Sequence, residues 1–105
     1  MKSTKPVSSE LFVAMMIYHL TEVKKEPAHL NRLYEELKGY MDRNVLWNSM
    51  DTLEDWLIIY GEYGPFGHGR CGRLYYIETH DGGDHRIEEL YNKYWDQITG
   101  DVNEE

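Results

Sequence analysis

Ile58-Ile-Tyr-Gly-Glu-Tyr63, then Gly64-Pro-Phe-Gly-His-Gly-Arg-Cys-Gly72, then Arg73-Leu-Tyr-Tyr-Ile-Glu-Thr79 is the stretch on which the fold turns. Its flanks are rich in β-branched and aromatic residues, which suit a half-buried pleated surface. Its middle holds four glycines and a proline that no central strand would tolerate. The stretch therefore reads as a β-hairpin with a glycine-rich loop.

Upstream the spacing of apolar residues is helical. Leu11-Phe-Val-Ala-Met-Met-Ile-Tyr18 is apolar nearly all round, so a helix over 9–23, capped by Ser8 or Ser9, is expected to be covered on two sides. Glu26-Pro27 breaks it and starts a second helix carrying Leu30, Leu33, Tyr34 and Leu37, with Gly39 as its left-handed terminator. Asp42 caps a third helix whose stripe is Leu46, Met50, Leu53 and Leu57; its other face holds Arg43, Asn44, Trp47, Asn48, Asp51 and Asp55. Downstream of the hairpin, His80-Asp-Gly-Gly83 is a linker and Asp84 a cap. Ile87, Leu90, Tyr91, Tyr94, Trp95 and Ile98 then line one face of a last helix, closed by Gly100.

The chain has 105 residues, 41% of them hydrophobic, enough for one modest core. Residues 1–8 read as a flexible arm and 101–105 as a disordered acidic tail. A single cysteine, Cys71, makes no internal disulfide and suits a reducing cytoplasm. Met1-Lys-Ser-Thr-Lys-Pro6 has no apolar signal core, and Leu11–Tyr18 is too short to cross a bilayer, so no membrane role is expected.

The net charge of −8 is uneven along the chain. Residues 1–23 carry two basic and two acidic side chains, residues 24–77 seven and eight, and residues 78–105 two and nine. Most of the negative charge thus belongs to the last segment, which can point away from a polyanion that the middle approaches.

The order helix, helix, helix, strand, glycine-rich wing, strand, helix resembles the winged helix-turn-helix family, and within it the PadR-like group of microbial regulators. Ser49-Met-Asp-Thr-Leu-Glu-Asp-Trp-Leu-Ile58 and Gly69-Arg-Cys-Gly-Arg-Leu-Tyr-Tyr-Ile77 carry the resemblance. Trp56 departs from it, since such proteins usually have glycine there. The resemblance implies an α+β winged helix over 9–79, with a three-helix core and a two-stranded β wing, followed by an amphipathic dimerisation helix over 80–100. It implies a homodimeric transcription regulator of double-stranded DNA, with the helix over 43–57 in the major groove and the wing over 64–73 on the backbone or minor groove.

The residues themselves suit that reading. Asn44 and Asn48 match adenine edges, Arg43 guanine or phosphate, and Trp47 sugar or a thymine methyl. Arg70, Arg73 and His68 on the wing, with Arg32 and Lys38 around the second helix, are phosphate candidates; Lys24 and Lys25 are others. Asp51 and Asp55 oppose a deep fit, and a wing arginine can instead pair with Glu62 or Glu78 across the strands. A dimer interface is expected where Leu90, Tyr91, Tyr94, Trp95 and Ile98 meet Phe12 and Met16 of a second subunit, or else the last helix folds back on its own domain. Met15 and Met16 leave room for a small-molecule effector between subunits.

Catalytic and metal chemistry are set aside. No Ser-His-Asp arrangement, P-loop or dinucleotide fingerprint occurs, so no enzyme activity and no cofactor are expected. His68 with Cys71, and His80 with Asp81, Asp84 and His85, lack metal-motif spacing. The other reading, drawn from the net charge and the carboxylates on the third helix, is an acidic winged-helix module that binds another protein without binding DNA.

Overall fold

The computed structural model describes residues 7–67, 69–79 and 83–99. Most of the arm over 1–8, His68, the linker residues 80–82, Gly100 and the acidic tail lie outside the described residues. Among those described, the order is α1 (Ser9–Tyr18), a π-helical turn (His19–Val23), α2 (Leu30–Leu37), α3 (Arg43–Asp55), β1 (Ile59–Gly67), β2 (Arg70–Ile77) and α4 (Gly83–Thr99). This is the α+β order expected from the sequence.

Ser8 caps α1, its hydroxyl accepting from the Leu11 amide at 3.2 Å, with Glu10 in the first turn. Phe12 through Ile17 are all buried, because α3, α4 and β2 of the same chain surround the helix. The expected continuation to Val23 is not α-helical. The Lys24 amide reaches back to the His19 carbonyl at 2.9 Å, the wider spacing of a π turn.

The second helix does not start at Glu26-Pro27. Lys25 takes a φ of 57°, and the chain then runs extended: the Tyr75 amide donates to the Ala28 carbonyl at 2.9 Å and His29 bridges antiparallel to Leu74. Pro27 favours this path by holding the residue before it in extended geometry. The helix begins only at Leu30, where the His29 imidazole accepts from the Arg32 amide at 3.3 Å. Gly39 does not take the left-handed conformation; the Tyr40 and Met41 amides instead share the Leu37 carbonyl at 2.8 and 3.1 Å.

Asp42 caps α3 through the Val45 amide at 2.9 Å, and Leu46, Ser49, Met50 and Leu53 are buried. Leu57, expected to extend that stripe, lies beyond the helix and is 71% exposed. It takes φ 59°, the Leu57 amide bonds the Glu54 carbonyl at 3.1 Å, and the Ile58 amide bonds the Leu53 carbonyl at 2.9 Å. That is a Schellman closure with leucine in the left-handed place. Trp56 therefore costs the helix nothing as a substitute for glycine, since the left-handed residue is the next one. Leu57→Gly is expected to stabilise the fold by about 1 kcal/mol. In a domain of this size that is roughly 5 °C in thermal midpoint, and an unchanged midpoint would show that Leu57 is unstrained.

The glycine-rich segment is not a loop. Pairing runs from Ile59↔Ile77 through Gly64↔Gly72 and Pro65↔Cys71 to Gly67↔Arg70, with a bulge between Pro65 and Gly67. A two-stranded ribbon has only edge strands, so Pro65 removes no central ladder bond. The positive φ values of Gly67 (115°) and Gly69 (73°) confine the turn to the tip.

α4 packs on α1 of its own chain. Ile87 is buried; Leu90, Tyr91, Tyr94, Trp95 and Ile98 are partly buried against the core. His19 is stacked on both Trp95 and Tyr91, centroids 4.7 and 5.6 Å apart, and its Nδ1 lies 2.5 Å from the Tyr91 hydroxyl. Phe12 and Met16, expected at a contact between subunits, are instead core residues of the single chain, 0% and 4% exposed. An α1 that is apolar all round leaves no dry alternative once α4 can reach it.

Burial, with Lys24 and Arg32 outweighing Glu36 and Glu26, holds the His19 imidazole below its ordinary 6.5. Burial, with Arg32 and Arg70, does the same to His29. The unfolded chain then binds protons more readily than the folded one below pH 6.5, so this part of the stability is complete above 6.5 and is lost as pH falls through the lower folded values. Urea midpoints should be flat above neutrality and fall toward pH 5. His19→Gln should flatten that slope; an equal slope in the variant would remove His19 as a cause.

Candidate nucleic-acid interface

The outward side of α3 is polar. Asn44, Asn48, Asp51 and Asp55 are exposed, while Leu46, Met50 and Leu53 anchor the helix from below. Trp47, 47% exposed, stands among the polar side chains. Charge divides this face lengthwise: Arg43, Asn44, Trp47 and Asn48 occupy the N-terminal half, and Asp51 and Asp55 the C-terminal half. A helix entering the major groove by its N-terminal end brings the uncharged amides and the arginine to the bases and keeps the carboxylates further out.

The candidate cations differ in how far they are already engaged. Arg32 holds Glu26 at 2.7 Å and Glu36 at 3.1 Å, and Lys38 holds Glu35 at 3.0 Å. Arg43 lies over the Tyr34 ring, 4.3 Å from its centroid. Arg70, at the wing tip, is exposed and makes no ion pair among the described residues. His68 falls outside the described residues.

Arg73 is neither free nor paired across the strands with Glu62 or Glu78. Its Nη2 donates to Glu54 Oε2 of α3 at 3.0 Å, and its guanidinium lies 5.7 Å from the Tyr75 ring centroid. Glu54 holds the Arg73 guanidinium above its ordinary range. The pair ties the wing to α3.

Three features emerge only from the assembled fold. Tyr63 is the cross-strand partner of Arg73 and 78% exposed, so the wing carries a projecting aromatic ring beside its charge. Strand alternation contained that signal, but the hairpin register was needed to read it. Leu30, Trp47, Met50, Asp51 and Tyr75 line a groove of ≈ 200 Å³ between α3 and β2. Met16, His19, Glu36, Tyr40, Trp95 and Thr99 line another of ≈ 250 Å³, whereas Met15 is core.

Among the described residues no three His, Cys, Asp or Glu side chains are placed to hold a metal, and no helix is long and apolar enough to cross a membrane.

No protein-family model matches the sequence, and no curated protein matches it significantly. Solved structures do. The circadian clock associated protein Pex from Anabaena superposes with a TM-score of 0.64 at 21% identity, over 92% of this chain and 85% of that one. Pex from Synechococcus gives 0.56 at 25% identity, over 85% and 83%. A PadR-like transcription factor from Bacteroides fragilis gives 0.54 at 17% identity, over 90% and 89%. The chain is thus a winged-helix protein of PadR-like architecture.

Proposed function

We propose that this protein is a transcription regulator that binds duplex DNA as a homodimer and catalyses no reaction. The observation that carries the reading is the exposure of Asn44, Trp47 and Asn48 along the first half of α3, flanked by Arg43 on one side and a wing bearing Arg70 and Arg73 on the other. The likeness to a PadR-like transcription factor supports it at the level of fold. With Phe12 and Met16 inside the chain, the surface left on α4 for a second subunit is its outer groove, where Leu90 and Tyr94 sit among Arg86, Glu89 and Lys93. A two-fold pair would set two copies of α3 on one side of a palindromic site. A small-molecule effector would find the groove by His19 and Trp95, where occupancy bears on how α4 sits.

The test is duplex affinity as a function of salt. Phosphate contacts release counterions, so log affinity should fall linearly with log salt concentration for a pool of random-sequence duplexes. Binding that is absent at low salt ends the reading. A second reading, an acidic module that binds a protein partner, is favoured by one observation: beside Asp51 and Asp55, Trp56 and Leu57 stand 58% and 71% exposed at the end of α3.

A further inference from the structure

The Arg73 guanidinium is held from two sides. Glu54 on α3 accepts from Nη2, and the guanidinium also lies close against the bare backbone of Gly61 on β1. A Cβ at Gly61 would stand 2.5 Å from Arg73 Nε and 2.9 Å from Cζ. The φ of Gly61 is not in the left-handed range, so the absent side chain serves the arginine and not the backbone. The Tyr75 ring lies at 5.7 Å. The side chain is still 56% exposed, so a polyanion reaching the wing meets a cation whose charge is partly answered.

We propose that Glu54 is an intramolecular competitor for Arg73, and that Glu54 and Gly61 together hold the guanidinium docked against α3 in a position that a duplex phosphate must win it from. The inference rests on the duplex-binding reading and adds to it a built-in attenuation of the wing. The docked state joins the two surfaces that would touch DNA, so its release changes the reach of the wing as well as its charge. An exposed ion pair is worth at most about 1 kcal/mol, equivalent to about a fivefold change in affinity.

Two variants release the arginine in different ways. Glu54→Gln removes the competing charge. Gly61→Ala displaces the guanidinium from its notch and leaves the net charge unaltered. Each is expected to tighten binding of a fluorescent random-sequence 30-base-pair duplex pool by up to about fivefold and to steepen its salt dependence. Both gains should vanish in an Arg73→Gln background. Asp55→Asn, which removes a neighbouring charge without touching the pair, should gain less. Circular dichroism confirms folding of each variant. Duplex binding in which Asp55→Asn gains as much as Glu54→Gln, or in which the gains survive Arg73→Gln, overturns the competition while leaving DNA binding intact. Absence of duplex binding by every variant at low salt overturns the functional reading itself, and the competition with it.

Discussion

Phe12→Ala is expected to cost about 3–5 kcal/mol of folding stability, the range for truncating a buried phenylalanine. Phe12 is fully buried where α1, the turn after α2 and α4 meet. Its ring stands edge-on to Tyr40 at 5.0 Å and 86°, and 5.9 Å from Trp95. Tyr40 in turn donates to the Thr99 carbonyl at 3.5 Å, so Phe12 supports the C-terminal part of α4 both directly and through Tyr40. Domains of this size are stable by about 5–15 kcal/mol, so the loss takes a large share. Urea denaturation followed by tryptophan fluorescence measures it, and a loss under about 1 kcal/mol would mean that α4 does not sit on Phe12. The same experiment tests which α1 the helix covers. Pairing of subunits through the outer groove of α4 also makes the midpoint rise with protein concentration, so the distinguishing result comes at high dilution: an α4 packed within one chain leaves a folded monomer, whereas an α4 crossed to the α1 of a second subunit leaves none.

The aromatic stripe of α4 shows what the sequence could and could not supply. Its period placed Ile87, Leu90, Tyr91, Tyr94, Trp95 and Ile98 on one face, and they do share it against the core. Periodicity says that a face is buried and is silent on what buries it, so the choice between the chain's own α1 and another subunit's had to come from packing. The wing is the converse case. Its glycines suggest a loop because glycine is weak in strands, yet in a two-stranded ribbon no strand is central, and Gly64, Pro65 and Gly72 pair in register. The start of α2 departs from the local pattern for a third reason: Ala28 and His29 are claimed by a long-range pairing with β2 that no local signal announces.

The polar division of α3 was legible because burial of Leu46, Met50 and Leu53 dictates which residues face out. The state of the cations was not. Arg32 and Lys38 look alike in sequence to Arg70, but helical spacing gives Arg32 its Glu36 and Lys38 its Glu35, while the hairpin carries Arg70 away from every carboxylate it could pair with among the described residues. The Glu54–Arg73 pair spans nineteen positions and depends on how the wing leans on α3, which only the assembled fold reveals.

Replacing Arg70 and Arg73 together by alanine is therefore expected to weaken duplex binding by roughly 10- to 100-fold at moderate salt, and to reduce the slope of log affinity against log salt by about 1.8, for two phosphate contacts. The two arginines should not contribute equally. Arg70 meets a phosphate without surrendering a partner, whereas Arg73 must first leave Glu54, so Arg70→Ala alone should account for most of the loss. Arg32→Ala and Lys38→Ala provide the comparison. Both remove a positive charge, but each charge is already answered by carboxylates, and their effect on binding should be several-fold smaller. Thermal melts should move little for the wing variants, since an exposed pair adds at most about 1 kcal/mol. Four substitutions with equal effect would show that the protein responds to net charge alone. Near-neutral wing variants beside a strong effect of Trp56 or Leu57 would transfer the function from the polar N-terminal half of α3 to its apolar end, and with it from DNA to a protein partner.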